Sequence, residues 1–159
     1  MAFRGTRDGV TCHMKRIVPF SILVLILSLS LASEAPAQVQ TRIRIIQASN
    51  VDSNIDPSLR DVHGQLGSLF NFTSYRLLRD ETLSLSPNQP AEISVHKDIS
   101  LEITWVGKHK NIPELRVIIK RQRTDILNTQ VRLSPGRTVL IGGPKHGEGV
   151  AILAFSAGF

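Results

Sequence analysis

Apolar and polar residues alternate through most of the chain after residue 40. Over residues 41–48, Ile43 and Ile45 point one way and Arg42 and Arg44 the other. That is the period of two expected of a half-buried strand. The same pattern predicts further strands. Tyr75 and Leu77 lead to Leu83 and Leu85 with a bend near Asp80-Glu81, and residues 91–96 form a short strand. Leu101, Ile103 and Trp105 share a face of residues 100–106, and Leu115, Val117 and Ile119 alternate with Arg116 and Lys120. Residues 129–133 are expected to pair with 138–141 across Ser134-Pro135-Gly136. There Pro presets the first central position of a type II turn and Gly takes the second. Residues 150–155 are apolar on both faces, which marks a central strand.

One stretch keeps a different period. Asp56-Pro57 opens it, Asp as N-cap and Pro at the first helical position. Leu59, Val62, Leu66 and Leu69/Phe70 follow at three- and four-residue steps, and Asn71 ends the helix. Gly64 and Gly67 inside it are expected to let the helix approach a sheet closely. The fold class is therefore mainly β with one helix: an antiparallel sandwich or curled sheet of about eight strands. Whether the helix covers a sheet face or an end stays open.

The first forty residues carry another kind of signal. Met14-Lys15-Arg16 is a positive patch, residues 17–31 are mostly apolar, and Ala35-Pro36-Ala37 supplies small residues. That order is a secretory signal peptide over residues 1–37, cleaved between Ala37 and Gln38. Met14 would be a more ordinary start than Met1. The apolar run is short for a membrane anchor, so the mature domain, residues 38–159, is not expected to span a membrane. The chain is expected to act in the periplasm or outside the cell. Its one cysteine, Cys12, lies in the leader, which leaves the domain without thiol or disulfide chemistry.

Composition narrows the function classes further. The mature residues keep fifteen Lys/Arg against eleven Asp/Glu, a moderate positive charge. Arg42, Arg44, Arg116 and Lys120 would make one basic face if their strands were neighbours, and such a face could hold anionic polysaccharide or lipid. Aromatic residues for base stacking are few, which argues against nucleic acid. His63, His96, His109 and His146 are scattered singly, so neither a metal nor another cofactor is expected. No G-x-S-x-G elbow occurs, and Asp52, Asp56 and Asp80-Glu81 suit caps and bends, so no catalytic residue is expected. Residues 142–149 are glycine-rich with a lysine, but the spacing is not that of a phosphate loop, and a hairpin loop is expected.

Residues 128–143, NTQVRLSPGRTVLIGG, resemble a barrel-domain hairpin of bacterial secretins, the outer-membrane channels of secretion and pilus systems. The resemblance covers those residues only and implies no pore. Ile46-Gln47-Ala48-Ser49-Asn50, the Asp56-Pro57 helix and residues 72–78 also resemble small exported bacterial β-rich proteins. The expectation is a non-enzymatic envelope domain that binds a protein partner through an exposed sheet edge, as an accessory of a secretion or pilus assembly.

Overall fold

The computed structural model describes Met1, Gly5 and residues 37–158. Apart from Met1, Gly5 and Ala37, the expected signal peptide lies outside the described residues. Ala37 and Gln38 are exposed and precede the first strand.

Eight strands and one helix follow in the order β1 (Val39–Ser49), α1 (Arg60–Leu69), β2 (Ser74–Leu85), β3 (Pro90–His96), β4 (Ile99–His109), β5 (Ile112–Arg121), β6 (Thr124–Arg132), β7 (Thr138–His146) and β8 (Gly149–Ala157). A 3-10 turn, Pro57–Leu59, leads into α1. The strands form two antiparallel four-stranded sheets, ordered β2-β1-β8-β7 and β3-β4-β5-β6. Neither sheet closes into a barrel, so β2, β7, β3 and β6 remain as edges.

Alternation fills two cores. Ile43 and Ile45 of β1 and Leu153 and Phe155 of β8 face the second sheet, where Leu101, Ile103, Trp105, Leu115, Val117 and Ile119 meet them. The opposite face of the same two strands carries Ile46, Ala48, Ile152 and Ala154, covered by Leu59, Val62 and Leu66 of the helical segment. The helix therefore lies on a sheet face, and β8 is buried on both sides as its sequence requires. Leu69, which the three- and four-residue steps placed on the stripe, is 60 % exposed because the helix ends there. Tyr75 of β2 fixes that end by donating its hydroxyl hydrogen to the Phe70 carbonyl at 2.6 Å. At the start, the Asp56 carboxylate accepts from the Ser58 amide at 3.0 Å, the expected cap.

The second strand does not bend at Asp80-Glu81. It runs unbroken for twelve residues, and its irregularity sits at Leu78, an extra residue between Ile45↔Arg79 and Ile46↔Leu77. The bulge changes which face the odd positions occupy. Tyr75 and Leu77 pack under the helix, while Leu83 and Leu85 pack between the sheets. One apolar series thus serves both cores.

Three further expectations are corrected. The strand expected over residues 100–106 runs on through 107–109 as part of β4, and the turn is the pair Lys110-Asn111, both at positive φ. That geometry is a two-residue turn whose twist suits a hairpin. Most of the glycine-rich segment is β7 itself: the strand reaches His146, with Gly143 and Pro144 in a bulge and Gly147-Glu148 as the turn. Residues 129–133 and 138–141 do not form a hairpin. β6 pairs with β5 and β7 with β8, so the chain crosses from one sheet to the other between them. The type II turn at the crossing forms as expected, with Arg137 N–H bonded to the Ser134 carbonyl at 3.1 Å and Gly136 at φ +69°.

Candidate functional site

The four basic residues expected to share a face are divided. Arg42 and Arg44 lie on β1, on the helix side of the first sheet, and Arg116 and Lys120 lie on β5 in the second. The reason is topological: β1 is flanked by β2 and β8, β5 by β4 and β6. Three of the four also hold a carboxylate. Arg42 binds Asp80 through Nε at 2.8 Å, and Arg44 makes two 2.8 Å bonds to Asp61 of α1. Lys120 bonds Glu102 at 2.5 Å. Arg44 is only 2 % exposed and so is spent on docking the helix, not on an outside ligand. No single anion-binding surface results.

The scattered histidines meet once. His96 at the end of β3 and His146 at the end of β7 stack edge to face, 4.9 Å apart and inclined by 84°. His146 Nδ1 is buried and has no hydrogen-bond partner among the described residues. Burial pushes the His146 pKa down, and the nearby His96 and then Arg76 act in the same direction. Among the described residues no group of three metal-ligating side chains converges here or elsewhere.

This contact gives an expected pH response. Folded His146 takes up a proton less readily than the unfolded chain does, so its contribution to stability is complete above pH 6.5 and is lost as pH falls toward its depressed folded value. Asp61 and Asp80 shift in the same sense, each held low first by its hydrogen bond to an arginine. Their contribution is complete above pH 3.8 and is lost below it. Urea unfolding across the acid range should therefore show two separate declines, and His146→Gln should abolish the upper one alone. A flat profile from pH 6.5 down to the carboxylate range would contradict the assignment.

A cleft of about 430 Å³ lies beside the start of the helical segment and is bordered by Gln47, Asp52, Asn54, Asp56, Arg76 and Glu148. Much of its chemistry is committed to structure. Asp56 caps the helical segment, and Arg76 bonds Gln47 at 3.1 Å.

The sheet edges differ more tellingly. β3 is short and begins at Pro90, which has no N–H to offer. β7 carries the Gly143-Pro144 bulge. The start of β2 is covered by residues 54–56, which exchange hydrogen bonds with Tyr75 at 2.9 Å in both directions, and beyond it the strand carries the Leu78 bulge and the charges Arg76, Arg79, Asp80 and Glu81. These are the usual devices that keep an edge from pairing. β6 has neither proline nor glycine, and after a bulge at Ile126 residues 127–132 run regularly against β5.

Comparison with known families, curated proteins and solved structures gave no match.

The edge is also lined for recognition. Leu127, Thr129 and Val131 face the interior, opposite Ile119, Val117 and Leu115, while Asn128, Gln130 and Arg132 face outward. Beside it runs a groove of about 190 Å³ lined by Ile119, Ile126, Leu127, Gly142, Gly143 and Pro144. Ile126 is 41 % exposed at its mouth. Backbone groups for pairing and an apolar slot for a side chain thus lie together. Sequence alone shows neither: the region reads as one more strand, and which strands become edges depends on the sheet order.

Proposed function

We propose that this chain is a non-enzymatic domain, exported to the cell envelope, that binds a protein partner by adding an extended segment of it to the edge of β6. The observation that carries the reading is the contrast among the four edges: β3 is short and opens at proline, β7 is bulged at proline, β2 is covered at its start, bulged at Leu78 and charged at Arg76, Arg79, Asp80 and Glu81, and β6 is regular and uncharged over residues 127–131. Strand addition draws affinity from main-chain hydrogen bonds and specificity from alternate side chains in pockets. The groove between β6 and β7 is such a pocket, suited to an aliphatic side chain. The leader-like residues 1–37 support an envelope setting.

The test uses a tag placed after Phe159, cross-linking in intact cells, and identification of the protein recovered. The comparison is with a variant carrying Asn128→Lys and Gln130→Lys. Both positions are exposed and face outward, so the variant should fold, at a cost of about 0.2–1 kcal/mol where the second lysine stands opposite Arg116. Edge lysines oppose strand pairing, and the variant is expected to lose the partner recovered with the wild type. Equal recovery by the two proteins would refute binding at β6.

A further inference from the structure

We infer that β6 also pairs with β6 of a second copy of this chain, giving a two-fold dimer in which two four-stranded sheets join into one of eight. The inference rests on strand addition at β6 and names a partner for it.

Directly opposed residues in an antiparallel pair project to the same side of the sheet. A two-fold pairing must therefore place some residue of β6 opposite itself, and Thr129, midway along 127–131, is the central choice. Asn128 then faces Gln130 of the second copy on the outer side, and Leu127 faces Val131 on the inner side. Every opposed pair is matched in kind: hydroxyl with hydroxyl, amide with amide, aliphatic with aliphatic. Such cross-strand pairs are the units of sheet stabilisation.

The charges add an independent constraint. β6 carries one acid and one base, Asp125 near its start and Arg132 at its end. The bulge at Ile126 turns Asp125 outward, opposite Lys120, so it shares the outer side with Arg132. Pairing about Thr129 brings each Arg132 beside the Asp125–Ile126 bulge of the other copy. Opposite charges therefore meet at both ends of the joint, twice by symmetry. A parallel arrangement would instead set Asp125 beside Asp125 and Arg132 beside Arg132. Arg132 is 54 % exposed and makes only a 3.4 Å contact with Glu114, which leaves its guanidinium within reach of a second carboxylate. A two-fold interface uses the same patch on both subunits, and β6 is complementary to itself.

Sedimentation of the mature protein over a range of concentrations tests this, using three proteins: the wild type, Asn128→Lys with Gln130→Lys, and Asn128→Glu with Gln130→Glu. The wild type should show a concentration-dependent dimer. Each double variant places like charges opposite each other at two points and should dimerise at least about tenfold more weakly. An equimolar mixture of the two variants should recover the dimer, because each Lys then faces Glu. Recovery also shows that the variants are folded. A wild type that stays monomeric throughout, or a lysine variant that dimerises as well as the wild type, overturns self-pairing. Cross-linking in cells then separates the two ideas. A monomeric wild type whose envelope partner is lost in the lysine variant overturns self-pairing and leaves strand addition standing; a monomeric wild type whose partner is retained overturns both.

Discussion

Phe155→Ala should lower the free energy of unfolding by about 3–5 kcal/mol, the usual cost of removing a buried aromatic ring. Phe155 lies on β8, between β1 and β7, where its backbone neighbours are Ile43 and Val139. Its ring is wholly buried in the cluster between the two sheets. Two effects add: lost transfer free energy for the ring, and a cavity that paired strands on both sides cannot collapse to fill. Against a typical total of about 5–15 kcal/mol for a domain, such a loss brings the fold near its limit. Urea unfolding would measure it, with Phe155→Leu as the companion that keeps most of the volume and should cost much less. A loss under about 1 kcal/mol would mean that the sheets do not close over this side chain.

Features that depend on local periodicity were legible in the sequence. The number of strands, the capped helix, the type II turn at Ser134-Gly136 and the double-sided burial of β8 all follow from residue type and spacing. Features that depend on which strands become neighbours were not. The hairpin expected of residues 129–141 divides between two sheets, because a tight turn at Pro135-Gly136 serves a hairpin or a crossing equally well. The basic face failed for the same reason: alternation places Arg44 and Arg116 on a side of a strand but does not say which sheet that strand joins. The bulge at Leu78 was hidden in the same way. The nearby Asp80-Glu81 read as a bend, and the extra residue is visible only against the register of β1. The β6 edge is the furthest from local signals, since a strand is an edge only by virtue of what fails to lie beside it.

The glycines extend this contrast to a substitution of one kind with opposite expected signs. Gly64 and Gly67, expected to press the helix against a sheet, face away from it, and a Cβ at either would meet nothing within 4 Å. Each therefore destabilises its helix by its backbone freedom alone, and Gly64→Ala should raise stability by about 0.5–1 kcal/mol. Gly149, read as part of a loop, is the tight position. A Cβ there would overlap the backbone carbonyl oxygen of Ala48 and would lie 3.0 Å from Ser49 Cβ. The obstacle is the main chain of β1, which cannot rotate aside as a side-chain tip can. Gly149→Ala must instead displace the start of β8 from β1, where Val150 pairs with Ala48. The expected loss is about 3 kcal/mol, the upper part of the range for overpacking. Both values can be read from shifts in the urea midpoint at constant slope. Loss of stability in Gly64→Ala would show that the helix packs more closely than its exposed glycines indicate, and a neutral Gly149→Ala would show that β8 joins β1 only beyond Val150.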